Sequence, residues 1–353
     1  MINQLQLYIG KTLLQTTLMI VLLILGIDVL FGLVHELGEE RGGYTTLPIF
    51  MYTLFTIPRR VYELFPMSSL IGAIMGLGLL ATHSELIVMR AAGVSIAKIT
   101  GWVLKVAFLL AIVMGLIGEF VVPRTEYAAE ALKVHTKSRG QAVLTVKGAW
   151  VRDEDMFIHI QYVLPDGRLQ GITRYIVQDR QLKSASTIRE ARYKKGRWTL
   201  NDIQTSMLFD NEVTTQTVSK EVIKEWIDPS ILEVLFTDPD DLSINGLWQY
   251  MQYLKNNKLD YSVYALVFWK KILQPLAVVV MVFLAVPFVF GPLRSASMGL
   301  RLMAGILFGF SFFVLNEILG PLSVIYSFPA LAAALMPLLL FAGLGIWMMR
   351  KIT

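Results

Sequence analysis

Residues 84–99 read SELIVMRAAGVSIAKI, and they lie between two long apolar runs, Val61–Thr82 and Gly101–Val122. Within so short a stretch the chain carries Glu85, Arg90 and Lys98. Ser84 is placed to cap a helix, and Glu85 puts a carboxylate in its first turn, where the backbone dipole favours one. Leu86, Met89, Gly93 and Ile96 recur at spacings of three and four and so share a face, with Gly93 suited to end the helix. The spacing therefore predicts a short charged helix where the chain leaves an apolar medium and turns back into it. Two readings of that helix are open. It dips its apolar side into lipid headgroups, or it docks a partner in water through spaced anchors, with the charges setting register.

Working outward, the chain has 353 residues, 55% of them hydrophobic and 17% charged, with a mean hydropathy of +0.56. An ordinary soluble domain carries roughly 25% charged residues, so this is a membrane composition. A bilayer core of about 30 Å takes roughly 20 apolar residues per helix. Six runs reach that length: Thr12–Val34, Val61–Thr82, Gly101–Val122, Leu266–Phe290, Leu302–Leu322 and Pro329–Met349. The first begins too late and runs too long for a cleaved signal. The layout is residues 1–122 with three spans and the short helix at 84–96, a polar insert at 123–264, and residues 265–353 with three more spans.

Short loops set orientation. Lys11, Arg90, Lys98, Arg294, Arg301, Arg350 and Lys351 all fall on one side, which predicts cytoplasmic termini, a cytoplasmic helix at 84–96 and an insert outside. Arg41, Arg59 and Arg60 run against this, partly offset by Glu36, Glu39 and Glu40. The net charge of +5 comes from scattered basic residues, and no basic stripe with interleaved aromatics marks a nucleic-acid partner. Cysteine is absent, which excludes disulfides and thiolate metal sites.

Inside the insert the period changes. Residues 156–163 (MFIHIQYV), 169–178 (LQGITRYIVQ), 186–193 (STIREARY) and 197–209 (RWTLNDIQTSMLF) alternate apolar and polar residues. Asp166-Gly167, Lys195-Gly196 and Asp210-Asn211 mark turns between them. These are half-buried antiparallel strands of a small sandwich, barrel or jelly roll, followed by a helix at 244–255.

Catalytic signatures fail on inspection. Gly10-Lys11-Thr12 imitates the end of a phosphate-binding loop, but the first glycine would fall at Leu5 and no strand precedes it. His35-Glu36 begins a zinc-protease pattern whose second histidine would fall at Glu39. Four histidines without ligand spacing predict no metal site, and no Gly-x-Ser-x-Gly turn occurs. Asp28 is the residue least suited to lipid. It lies about 22 Å along the first span, where a central charge costs about 2.5–3.5 kcal/mol, so it faces a cavity, is neutral, or reaches the outer headgroups.

SELIVMRAAGVS at 84–95, QPLAVVVMVFLAVPFVFGPLRSASMGLR at 274–301 and FGFSFFVLNEILGPL at 308–322 together resemble the lipopolysaccharide export permeases, the LptF/LptG family. IGKT at 9–12, MYTLFTIPRRVYELFPMSSLIGAIMGLG at 51–78 and GPLRSASMG favour its LptG branch. The resemblance covers all six spans and the position of the insert. It implies an inner-membrane subunit in a Gram-negative bacterium that pairs with a sister permease, LptF, on an LptB ATPase dimer. Export then runs through LptC and the LptA bridge, with ATP and magnesium used by the ATPase and no cofactor in this chain. It further implies a jelly roll in the insert, able to join its neighbours edge to edge.

The same resemblance makes 84–96 the coupling helix, with Glu85, Leu86, Met89, Arg90 and Arg301 at the ATPase contact. A lipid cavity between two permeases would be lined by Phe31, Phe65, Phe308 and Phe312, with Asp28 beside it and Arg41, Arg59 and Arg60 at a phosphate-binding rim. One departure stands out. Relatives carry lysines where the first span emerges, whereas this chain reads VHELGEERGG at 34–43. Two other classes share the layout: a membrane-anchored enzyme, which would need catalytic groups in the insert, and a receptor or assembly scaffold, which would need no ATPase.

Overall fold

The computed structural model describes residues 2–39, 44–137, 149–153, 155–163, 168–178, 181–194, 196–208, 212–224, 226, 238–292, 296–326 and 328–352. Arg41 and the turn residues Asp166, Gly167, Lys195, Asp210 and Asn211 lie outside them. Among the described residues six helices are long and apolar enough to cross a membrane, and a six-stranded antiparallel sheet is inserted between the third and fourth. The chain divides into two compact units. One comprises Met1–Val34, Thr56–Thr125 and Ser262–Thr353, the other His35–Phe55 and Glu126–Tyr261.

The helical unit is built from α1 (Ile2–Gly38), α2 (Thr46–Thr82), the short α3 (Glu85–Ala91), α4 (Ile96–Leu116), the first turn of α5 (Val122–Lys137), α7 (Ser262–Phe290), α8 (Met298–Ile325) and α9 (Ala330–Arg350), the end of α1, the start of α2 and α5 from Glu126 on belonging to the other unit. Small residues let α1 and α2 touch: a Cβ on Gly72 would stand 2.5 Å from Thr17 Cα, and Thr16 Oγ1 donates to Gly72 O at 2.8 Å. Such close approach is the main source of helix affinity where lipid is as apolar as the side chains.

α2 holds Pro58 and Pro66 and α7 holds Pro275 and Pro287, each of which removes a helical donor, and two of the freed carbonyls are met across the helix pair. Pro66 frees the carbonyl of Tyr62, and Gln274 Nε2 of α7 donates to it at 3.1 Å. Pro275 frees the carbonyl of Lys271, and Tyr62 Oη of α2 donates to it at 3.4 Å. Each helix thus repairs the other's break, which a water-free medium demands.

The sequence places the end of the third span at Val122, before Pro123. Instead the helix passes through a π segment at Ile117–Val121 and continues as α5 to Lys137. The π turn absorbs the proline, and Gly118 makes room there for the Tyr62 ring.

In the other unit β1 (Ala149–Asp153), β2 (Met156–Val163), β3 (Leu169–Gln178), β4 (Gln181–Lys194), β5 (Arg197–Leu208) and β6 (Val213–Ile223) pair in unbroken sequence order. β2 and β3 coincide with the alternating runs; β1 and β6 are additional. Ile158, Ile160, Leu169, Ile172, Ile188, Trp198, Leu200 and Ile203 form the core with Trp226. The sheet curls, since Arg174 on β3 comes within 4.0 Å of Glu221 on β6, three strands away.

Four successive ladders skip one rung in the same transverse row, at Gln161, Gly171, Arg189, Asp202 and Ser219. Gly171 and Asp202 there have φ of +65° and +54°. The buried positions step by three across this crease: Leu169 to Ile172, Ile188 to Ala191, Leu200 to Ile203. One extra residue per strand keeps the apolar face inward on both sides of the bend.

At one edge of the sheet, α6 (Ile244–Asn256) presents Tyr253, whose Oη accepts from Arg152 N at 3.1 Å and donates to Arg152 O at 2.8 Å. The hydroxyl stands where a further strand would bond.

Candidate functional site

α3 follows α2 after two residues. Ser84 occupies the N-cap position but in a left-handed conformation (φ 60°, ψ 9°), and its side chain makes no cap bond. This corrects the capping role expected of it. Ser84 N already bonds Ala81 O to finish α2, and that tight turn takes the backbone out of the extended geometry a capping side chain needs. Its carbonyl instead accepts from Ile87 N and Val88 N. At the other end Gly93 is left-handed (φ +86°), Gly93 N bonds Arg90 O and Val94 N bonds Met89 O. These two bonds are a Schellman closure, with buried Val94 and Met89 as its apolar contact.

Leu86 and Met89 are buried in the helical unit's core, so they anchor α3 to its own bundle and are not exposed contact residues, Leu86 reaching only the wall of the hollow beside α3. That is a second correction. The outward positions are Ile87 (55% exposed), Val88 (66% exposed) and Arg90, and a hollow beside them is lined by Ala81, Leu86, Ile87, Arg90, Val289 and Phe290. Glu85 accepts a hydrogen bond from Tyr8 Oη at 3.2 Å, and His83 Nδ1 stands 3.8 Å away. The tie from Tyr8 requires the first turns of α1, which no local pattern announces.

Arg301 also departs from expectation. It is 2% exposed, and its Nη1 donates to Gly78 O and, at 2.7 Å, to Thr82 Oγ1. A guanidinium here closes the carbonyl end of α2 and so sets the direction in which α3 leaves.

The phenylalanines among the lipid-facing candidates separate into three groups. Phe65 and Phe312 are core residues, Phe312 edge-on to Phe341 at 5.4 Å, which corrects their assignment as cavity lining. Phe308 is half-buried against Phe288 at 4.6 Å. Phe31 is 74% exposed. Arg59 pairs with Glu63 on its own helix at 2.8 Å. Asp28 and Arg60 are brought together at 2.6 Å, joining α1 to α2.

In the other unit Glu36 and Glu39, from the acidic stretch at 34–43 that departs from the resembled family, are 2.8 and 3.6 Å from Lys133 Nζ. Lys133 also lies 4.6 Å over the Tyr52 ring, and Tyr44 Oη donates to Glu36 at 2.9 Å. Burial first, then the bond to Glu36, pushes the Tyr44 phenol far above its ordinary range. This knot explains what the acidic run does: it ties the end of α1 to α5. Among the described residues no His, Asp and Glu cluster is arranged to hold a metal ion.

A family profile described as lipopolysaccharide export system permease LptF/LptG matches residues 7–351. The lipopolysaccharide export system permease protein LptG of Escherichia coli strain K12 is 37% identical over 350 residues, covering 98% of this chain and 97% of that protein. Its counterpart in Haemophilus influenzae is 35% identical over 355 residues, covering 99% of each.

Proposed function

This chain belongs to the lipopolysaccharide export system permease LptF/LptG family, and on that premise we propose that it is a membrane permease subunit of lipopolysaccharide export driven by a separate ATPase. The observation that carries the drive is the split of α3. Leu86 and Met89 hold it from within, while Ile87, Val88 and Arg90 face outward beside an open hollow. Two apolar side chains left exposed on a seven-residue helix, which follows the α2 end held by Arg301 and is itself ended by a Schellman closure, suit a protein groove. The partner is the LptB dimer, which holds ATP and magnesium. This chain contributes no catalytic group.

Its spans pair with a sister permease, LptF. α1 and α8 are the least buried of the six and present Leu30, Phe31, Met303, Leu307 and Phe310 outward, a surface for that sister and for acyl chains. A push on α3 moves α2 and α4 at once. The lipid then leaves towards the β-domains and the LptC–LptA bridge, with both termini cytoplasmic and the sheet periplasmic.

Val88→Glu tests this in the co-expressed complex. The expected outcome is about tenfold or greater loss of ATPase from the purified complex, with the chain still in the membrane at its usual level. Full retention of the ATPase would remove the coupling role of α3.

A further inference from the structure

Arg60 of α2 lies across α1. Its Nη1 donates to Asp28 Oδ2 at 2.6 Å and to Asp28 O at 3.4 Å, while its Nε donates to Thr56 Oγ1 at 3.2 Å. Gly32, one turn beyond Asp28, makes this possible: a Cβ there would stand 2.5 Å from Arg60 Nη2. Any side chain at position 32 would push the guanidinium off α1. The pair is not sealed, for the Asp28 and Arg60 side chains remain 39% and 21% exposed.

The same arrangement recurs between α7 and α8. Lys270 Nζ is 3.6 Å from Glu317, and Gly320, one turn further along α8, would bring a Cβ to 3.1 Å from that Nζ. In both cases the cation stands on one of the two most buried spans, α2 and α7. In both, the carboxylate and the glycine stand on one of the two least buried, α1 and α8. A helix with little buried surface thus gains a charge clip to a packed neighbour in addition to its close-packed contacts.

Arg60 is a planar fork that fits the oxygens of a carboxylate or of a phosphate equally well. Inside a membrane it needs one or the other, because an uncompensated charge there is strongly disfavoured. A phosphate monoester offers three oxygens and up to two negative charges against the single charge of Asp28. We propose that Asp28 is a displaceable internal counter-ion: it occupies the anion seat of Arg60 until a phosphate-bearing lipid headgroup takes that seat, and its displacement undoes the charge tie between α1 and α2 while the Thr16–Gly72 contact stays. Asp28 is on this account a positioning residue, and Arg60 is the group that meets the phosphate. The inference rests on the lipopolysaccharide reading above.

The test uses the full chain in its complex, in nanodiscs, with three probes: lipopolysaccharide, the same lipid stripped of its phosphate esters, and inorganic phosphate. Asp28→Asn keeps size and one acceptor but removes the competing charge. It is expected to tighten binding of the phosphorylated lipid by about three- to tenfold and to leave the stripped lipid unchanged. Arg60→Gln is expected to abolish the preference for phosphate, and Arg60→Lys to retain part of it, with the amount of each variant in the membrane as the folding control. Unchanged or weaker binding by Asp28→Asn would reduce the pair to a structural tie and overturn the inference. Equal competition by inorganic phosphate would overturn the lipid headgroup as the source of the anion. If the unaltered complex binds neither lipid, it is the proposed function that fails; if it binds both as expected but ignores Asp28→Asn, only the counter-ion does.

Discussion

Pro66 in the helical unit and the outer edge of β1 in the sheet unit each leave backbone groups without a regular partner. Each is answered by one side chain from another element: Gln274 reaches the Tyr62 carbonyl, and Tyr253 reaches both polar groups of Arg152. Both place a side-chain donor on a main-chain carbonyl, and Tyr253 Oη in addition accepts from Arg152 N. What differs is the medium. In the six apolar spans no solvent waits to take the place of Gln274, whereas a strand edge that loses Tyr253 can bond water. A single contact should therefore weigh more in the bundle than in the sheet, although the sheet has the denser ladder of bonds.

The largest effect expected is at Gln274. Gln274→Leu keeps the volume and apolar fit but strands the Tyr62 carbonyl, at about 2 kcal/mol or more. The measurement is the thermal unfolding midpoint of the purified full chain in detergent. A midpoint equal to that of the unaltered chain would show that the proline break needs no repair and would erase the contrast between the two units.

How much of this could be read beforehand follows the same divide. The apolar core of every span was legible because a bilayer imposes length. The ends of α1, α2 and α5 were not, since those helices run on into polar sequence and the π segment carries the chain through Pro123. In the sheet, β2 and β3 were legible residue for residue. β6, exposed on both faces, has no alternation to read, and β1 is only five residues long. At the site, charge drew attention to Glu85, Arg90, Asp28 and Arg60 singly. Pairing Asp28 with Arg60 needs the register of α1 on α2 across 32 positions. The spacing did group Leu86 and Met89 on one face of ELIVMRA, but whether that face meets the bundle, lipid or a partner was closed to sequence, because Ile87 and Val88 on the other side are apolar too. Arg301 carried a usable signal: an arginine at the start of an apolar span requires acceptors, and the carbonyl end of a neighbouring helix supplies them.

The crease sharpens the comparison within the sheet. Valine has a high strand propensity and aspartate a low one, so a propensity argument expects Asp202→Val to strengthen β5. Asp202 has φ +54°, however, where a β-branched side chain meets the backbone. Asp202→Val is therefore expected to destabilise by about 1–2 kcal/mol, and Asp202→Gly to fall within about 0.5 kcal/mol of the native residue. The exposed ion pair with Arg189, 83% and 55% accessible, contributes little to either result. Hydrogen exchange of the β5 amides in the full chain reads both variants. A stabilising valine would mean that the skipped rungs are not a bend the strands require.

The smallest effect expected returns to the edge of β1. Tyr253→Phe removes one hydroxyl that serves both the N–H and the carbonyl of Arg152, formally two hydrogen bonds against the single bond lost in Gln274→Leu. Counting bonds alone, the sheet variant should be the worse of the two. Solvation reverses that order. Arg152 is only half-buried, and the phenylalanine ring keeps its packing beside the stacked Tyr250 ring at 5.7 Å, so water can reach the freed groups. A loss of about 0.5–1 kcal/mol is expected, visible as faster exchange at Arg152 N with little change in the unfolding midpoint. If Tyr253→Phe proved more damaging than Gln274→Leu, solvent would not be what separates the two units. The hydroxyl would then be holding α6 itself against the sheet.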